Sequence, residues 1–322
     1  MLKKHIYHIL QELDRPTLLT IAIISILVSA LTLVVPIAAQ TLVNLVAFGK
    51  LFQPVVTLSI MVLVLMIAIG ALSIWQFIII EIIQQKMMVK TSLNLAKHFN
   101  RLSLENFSSH HGPALVNRYF DIAIVKKTAA SILLYGINLA LQVLFGLILL
   151  LFYHPLFLAF DAFILIALVL IILLPARKAL TAAKEECSQK HVIGAWLEEI
   201  LINRTLFKFD YYHRYLMQQT DKELIRFLKV RNQHFRQLIK HQIGFYTLSA
   251  LASSLLLALG GYLVIQNQLS LGQLVAAEVI LGALLYAFKR FGSLLENFYD
   301  LMASADKIDS ALQLPLEADL PH

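Results

Sequence analysis

Long stretches without any charged side chain alternate along this chain with stretches rich in lysine, arginine and glutamate. No charged residue occurs from 16 to 49 or from 51 to 80, and later uncharged stretches run from 128 to 160, from 162 to 176 and from 241 to 277. An α-helix needs about 20 apolar residues to cross a hydrocarbon core of roughly 30 Å. The pattern therefore predicts an all-α integral membrane protein with six transmembrane helices, at about 17–47, 52–82, 128–152, 156–176, 241–265 and 273–297.

The overall composition supports a membrane protein. Apolar residues make up 59% and charged residues 15% of the 322 residues, and the mean hydropathy is +0.73. Soluble chains average roughly 45–50% apolar and 25% charged residues. The single cysteine, Cys187, excludes a disulfide scaffold. A signal peptide is not expected, because the first apolar stretch is too long and no small-residue cleavage site follows it.

The basic residues predict the orientation. With both termini in the cytosol, 26 of the 27 lysines and arginines lie on the cytosolic side and only Lys50 lies outside. Cytosolic loops carry such an excess of basic residues. The net charge of +7 then faces anionic lipid of the bilayer and a cytosolic partner. No nucleic-acid partner is expected, because the basic residues carry no aromatic stacking pattern.

The two long cytosolic segments predict helical levers. Residues 81–111 contain neither Gly nor Pro. Residues 177–240 contain no Pro and one Gly, Gly194. Since helix breakers are absent, we expect spans two to five to continue as long helices, reaching about 30 Å into the cytosol for each 20 residues. A membrane-hugging helical hairpin is the alternative. The levers are predicted to turn at 108–113 and at 209–215, where aromatic and arginine side chains are typical of an interface.

Four segments carry a family resemblance. These are 112–118 with Asp121, the run 199–208 with Glu199 and Lys208 around 205–207, the outer turn 269–276, and 303–308 followed by 314–317. Together they resemble the transmembrane domain of type I ABC exporters, nearest to the permease part of the haemolysin and bacteriocin secretion exporters. The resemblance covers nearly the whole chain.

Three positions depart from the pattern of that family. Asn203 stands where the family usually has Gly, Lys307 where it usually has Arg, and Ala287 at a position often held by Pro.

The resemblance implies an ABC type-1 exporter transmembrane fold and a domain-swapped dimer, in which spans four and five cross to the partner. The dimer would be a homodimer or a heterodimer with a related permease, in the inner membrane of a bacterium, with a periplasmic adaptor as a further partner. The expected domains are a cytosolic segment at 1–16, the six-helix transmembrane domain at 17–302 and a cytosolic tail at 303–322.

The sequence contains no Gly-x-x-x-x-Gly-Lys-Ser/Thr loop, and Gly49-Lys50 lacks its glycine-rich context. The chain is therefore expected to bind no cofactor and to be a transport subunit rather than an enzyme. ATP and Mg²⁺ would be bound by a separate nucleotide-binding subunit. The alternative is that this chain is part of a longer exporter.

The resemblance also implies residues that couple the permease to the ATPase subunit. They lie at or near the two predicted lever turns: His110, His111, Gly112, Leu115, Arg118, Asp121, Glu199, Lys208, Asp210, Tyr211, Tyr212 and Arg214.

Polar side chains inside the spans are candidates for a substrate cavity, because burying them in lipid is costly. They are Gln76, Glu81, Asn138, Gln142, Asp161, Lys289 and Arg290. Lys289 and Arg290 would contact acidic or carboxylate groups of the cargo; alternatively they reach the inner headgroups or a partner subunit.

No catalytic or metal site is expected. Cys187 is interpreted as a plain surface or packing thiol, and His234 and His241 as polar residues at an interface near the membrane boundary. The adjacent glutamates at 185–186 and 198–199 cannot converge, because neighbours on a helix point about 100° apart.

The favoured function is a membrane permease subunit of an ABC-type exporter, with a polypeptide substrate favoured over a lipid or small molecule. The alternatives are a motorless membrane scaffold, sensor or immunity-type protein with the same fold, and a secondary transporter, for which no inverted repeat is evident.

Overall fold

The computed structural model describes residues 15–48, 52–101 and 119–313. All regular structure in these residues is helical. The helices are α1 (Arg15–Leu31), α2 (Val34–Phe48), α3 (Phe52–Asn100), α4 (Tyr119–Ser131), α5 (Ile137–Tyr153), α6 (Phe157–Ile202), α7 (Asp210–Ile265) and α8 (Leu271–Leu312).

These helices form six segments that are long and apolar enough to cross a membrane, which confirms the prediction of six spans. The segments are Pro16–Ala47, Phe52–Asn100, Tyr119–Tyr153, Phe157–Ile202, Tyr212–Ile265 and Leu271–Ser310.

The first span is broken, which the hydropathy pattern did not predict. A turn at Thr32 and Leu33 separates α1 from α2. Pro36 has no N–H, and a proline ring in a helix clashes with the carbonyl four residues earlier, here that of Thr32. The Thr32 hydroxyl donates a hydrogen bond to the Ser29 carbonyl at 2.7 Å.

The third span contains a π-helical turn at Ile132–Gly136, between α4 and α5. Such turns insert an extra residue into a helix and occur frequently at functional sites. This turn presents Tyr135, which contacts Arg290 of the sixth span as described below.

Three helices are much longer than a bilayer core requires, as the lever prediction expects. Helices α3, α6 and α7 contain 49, 46 and 56 residues. At 1.5 Å per residue they are about 74, 69 and 84 Å long, more than twice the thickness of a bilayer core. Helix α6 continues through Pro175, and α6 and α7 pack along each other, so the segment 177–240 is a pair of extended helices.

Helix α8 joins three hydrophobic clusters. Its outer half packs with α5, α6 and α7, for example through Leu284. Its inner part packs with α1, α3 and α4 through Leu301 and Ala305. Tyr299 and Ala303 pack against the parts of α6 and α7 that extend beyond their apolar stretches. Helix α8 is therefore in contact with both groups of spans and with the extended parts of α6 and α7.

The outer turn before α8 has a capping box. The Gln273 N–H donates to Ser270 Oγ at 3.1 Å, and the Ser270 N–H donates to Gln273 Oε1 at 2.8 Å. At Gly272, a Cβ would lie 2.7 Å from the Gln40 carbonyl oxygen of α2. The glycine therefore lets the start of α8 approach the first span closely.

Candidate functional site

The end of the α6–α7 lever differs from the predicted turn. Helix α6 ends at Ile202, a 3₁₀ turn follows at Leu206–Lys208, and α7 already begins at Asp210. The prediction of a turn at 209–215 was therefore wrong, and the chain reverses at 203–209 instead. Asn203 caps the end of α6, where its side chain donates to Glu199 and its own N–H bonds the Glu199 carbonyl at 3.0 Å.

This reversal and the first turns of α7 expose large apolar side chains, and we call residues 201–215 the lever tip. Phe209 is 64% and Tyr215 53% exposed, and Tyr212 is 38% exposed. Trp196 holds the tip from inside: its Nε1 donates to Thr220 Oγ1 at 2.8 Å, and its ring packs edge-on against Phe207. The lever tip therefore exposes aromatic side chains, while Trp196 packs beneath it.

The residues expected to couple to an ATPase subunit are only partly brought together. At the lever tip, Lys208, Tyr212 and Arg214 are exposed, while Glu199 is half-buried just before it. Asp210 and Tyr211 begin helix α7, and only their backbone is described. His110, His111, Gly112, Leu115 and Arg118 fall in 102–118, outside the described residues.

Asp121 is buried inside the lever rather than presented at its end. Its side chain is 6% exposed, and its Oδ2 lies 2.9 Å from His191 Nε2 of α6. The Asp121 carboxylate and the Cys187 thiol raise the pKa of His191 to about 9, against the opposing effect of burial. These three side chains line a cleft of about 480 Å³, which Asn297 and Asp300 of α8 also line.

A buried charged network joins α6 and α7 along the lever. Glu186, 3% exposed, accepts from His234 Nδ1 at 2.8 Å and from Arg231 at 3.2 Å, and it pairs with Lys190 at 3.0 Å. Arg231 also lies 3.7 Å from Glu296 of α8. Burial opposes ionisation, but the contacts from His234, Lys190 and Arg231 prevail and lower the pKa of Glu186 to about 2.

His234 and His241 are buried, so the expectation that they are polar residues at an interface was wrong. Their exposed fractions are 0% and 1%. His241 contacts the Ile171 carbonyl of α6 and the Tyr299 hydroxyl of α8, each at 3.0 Å. Both histidines thus fasten α7 to its neighbours.

The candidate cavity residues in the spans separate into two groups. Gln76 is fully buried and donates to Ser25 Oγ at 2.8 Å, and Asn138 donates to Gln76 Oε1 at 3.0 Å. This network connects spans one, two and three. Asp161 is also buried, and its Oδ1 has no hydrogen-bond partner among the described residues. Glu81, which accepts from Gln85, and Gln142 are half-buried.

Lys289 and Arg290 form the second group, because both are exposed on α8. The Arg290 guanidinium lies 5.2 Å from the centre of the Tyr135 ring and 5.7 Å from that of Tyr286. Two aromatic rings therefore hold the cation in place by cation–π contact, while its exposure leaves the guanidinium available to a further group.

Residues 18–288 match the family described as the ABC transporter transmembrane region. The chain belongs to this family. No curated protein matches the chain.

As an ABC transporter transmembrane domain, the chain takes part in transport by an ABC system. Such domains generally pair with nucleotide-binding domains. The match covers all six spans in part or whole and both lever helices that carry the tip.

Two clusters of polar side chains in this ABC transmembrane domain were not predicted from the sequence. One is the Glu186–His234–Arg231 network. The other is the grouping of Asp121, Cys187 and His191, whose ligand atoms all lie within 4.8 Å of one another. For the second, the spacing of four residues between Cys187 and His191 was a readable signal, because it places both on one face of a helix.

Proposed function

We propose that this chain is the membrane permease subunit of an ABC exporter. It moves a substrate, with a polypeptide favoured, out of the cytosol, and the ATP is hydrolysed by a separate nucleotide-binding subunit. The lever tip is the observation that carries the proposal. It lies about 40 Å along α6 from the end of the apolar stretch at Ala176, and it exposes Phe209 and Tyr215 where no lipid can cover them.

The proposed mechanism is rigid-body alternating access in a dimer. ATP binding closes the two nucleotide-binding subunits, and the tips seated on them move together. The Glu186 network keeps α6 and α7 in register, and α8 carries the movement to the outer half of the spans through its three hydrophobic clusters. The crossing of spans four and five to the partner subunit belongs to this proposal.

A photo-crosslinking amino acid at Tyr212 tests the docking of the tip in native membranes. The same amino acid at Gln233, exposed on α7 and about 30 Å farther from the tip, is the matched control. We expect position 212, and not 233, to capture a nucleotide-binding subunit. A nucleotide-binding domain captured on the same longer polypeptide would contradict a separate subunit. Capture of no such domain from either position would instead favour a motorless scaffold or sensor.

Arg290→Met is expected to reduce export roughly tenfold or more, because a charge-assisted hydrogen bond to a substrate carboxylate is worth about 1.5–3 kcal/mol. The measurement compares polypeptides in the medium of wild-type, deletion and variant cells. Arg290→Lys, which keeps the charge, should retain most of the export. Normal export by Arg290→Met at normal protein levels would remove Arg290 from the substrate path.

A further inference from the structure

Three side chains of different chemistry meet where the third span enters the cytosolic lever. Asp121 comes from the first turn of α4, and Cys187 and His191 come from consecutive turns of α6. One ligand atom from each lies within 4.8 Å of the other two. Asp121 and Cys187 are 4% and 8% exposed, so two of the three donors are held inside the protein.

One buried oxygen of this cluster has no hydrogen-bond donor among the described residues. Asp121 Oδ2 is buried and accepts no hydrogen bond from the described residues, although His191 Nε2 lies 2.9 Å away. This contact is an ion pair when the imidazole is protonated, but it is not a hydrogen bond. Lys190, which also lines the cleft, pairs with Glu186 at 3.0 Å. The Asp121 carboxylate therefore has an unused buried acceptor.

We propose that Asp121, Cys187 and His191 bind a divalent transition-metal ion of the zinc class. Thiolate, imidazole and carboxylate are the three ligand types that zinc takes in proteins. The thiolate selects against Mg²⁺ and Ca²⁺, which prefer oxygen ligands. A thiolate and a carboxylate together also neutralise the charge of a divalent ion, which suits a partly buried site.

The distances suit tetrahedral coordination after small side-chain adjustments. Zinc lies about 2.3 Å from sulfur and about 2.0–2.2 Å from nitrogen or oxygen, so its ligand atoms are roughly 3.3–3.6 Å apart. The observed separations include the 2.9 Å contact and extend to no more than 4.8 Å. The adjoining cleft of about 480 Å³ has room for a water molecule as the fourth ligand.

Such an ion would tie α4 to α6. The two helices belong to spans three and four, and the cleft between them is also lined by Asn297 and Asp300 of α8. Because a metal bridge holds its ligands at fixed distances, it would restrict relative movement of these spans at the base of the lever. The site is thus a place where metal supply could regulate the movement, and its existence does not depend on the proposed export function.

Cobalt(II) is the probe for this site, because a thiolate bound to Co²⁺ gives a charge-transfer band in the near ultraviolet. The chain contains one cysteine, so this band can arise only from Cys187. The full chain would be purified in detergent with an affinity tag free of histidine and cysteine, and titrated with Co²⁺. We expect the band to saturate at one ion per chain, and Zn²⁺ to abolish it by displacement.

Variants test whether all three ligands take part. Cys187→Ser should abolish the band, and Asp121→Asn and His191→Gln should each weaken Co²⁺ binding by at least the roughly 10- to 100-fold typical of losing an outer-shell partner. The matched controls are Asp221→Asn and His213→Gln, both exposed on α7, which should bind Co²⁺ as the wild type does. Bound Zn²⁺ should raise the thermal unfolding temperature of the wild type and the controls only.

Two results would overturn the proposal. One is the absence of a thiolate band from wild-type protein that elutes as a folded species and unfolds cooperatively. The other is a band of unchanged affinity in Asp121→Asn and His191→Gln, which would mean that Co²⁺ binds the thiol without the other two side chains.

Discussion

Glu186→Gln is expected to lower the free energy of unfolding by about 3 kcal/mol, because it removes the negative charge that three cationic or proton-donating side chains share. Breaking a buried ion pair typically costs about 3–5 kcal/mol. The lower end applies here because Lys190 and Arg231 are 53% and 37% exposed and keep part of their hydration. His234, with 0% exposure, has no such compensation.

Thermal unfolding in lipid nanodiscs measures this effect, in a Trp75→Phe background so that the fluorescence comes from Trp196 on the same lever. Glu185→Gln is the matched control, since Glu185 is the exposed neighbour on α6 and surface substitutions usually change stability by no more than about 0.5 kcal/mol. If both variants unfold at the wild-type temperature, the Glu186 network does not hold α6 and α7 together.

The six spans could be predicted because the bilayer imposes one simple requirement on every span, a long apolar stretch. The same requirement explains what was missed within the spans. Uncharged residues continue through the Thr32–Leu33 break and the π-helical turn at Ile132–Gly136, so hydropathy does not change there. Pro36 was the only local signal for the first break.

The lever tip was misplaced by several residues because its composition and its backbone give different signals. Aromatic residues cluster at 209–215, which suggested a loop, but they occupy the first turns of a helix. The helix end is set by Asn203, whose side chain bonds Glu199. A hydrogen bond from one side chain can set where a helix ends, and the composition of the segment does not indicate that bond.

The buried polar groups could not be predicted from sequence, because they depend on the relative positions of separate helices. Glu186 and His234 are 48 positions apart and meet only because α6 and α7 pack antiparallel at one register. Asp121 of the third span contacts His191 of the fourth span. Gln76 was assigned to a cavity by its polarity, and its bonds to Ser25 and Asn138 became visible only once three spans were packed.

Replacing Phe209 with Asp together with Tyr212 with Glu is expected to weaken docking of the nucleotide-binding subunit roughly 30-fold or more and to uncouple ATP hydrolysis from export. This expectation rests on the proposed function. Aromatic anchors at interfaces typically contribute about 2 kcal/mol or more when truncated, and burying new carboxylates adds a desolvation cost. The measurement is retention of the ATPase subunit during purification, together with ATPase activity and export.

Loss of folding is not expected to obscure this result. Phe209 is the residue before α7 and makes no side-chain capping bond, and Asp is a preferred residue at that position. Glu in the first turn also interacts favourably with the helix dipole, so the variant should keep the wild-type unfolding temperature.

The control is Asn232→Asp with Gln233→Glu, which adds the same two charges at exposed positions far from the tip. Retained coupling in the Phe209/Tyr212 variant would place the ATPase contact elsewhere, whereas loss of coupling in both variants would trace the effect to added charge rather than to the tip.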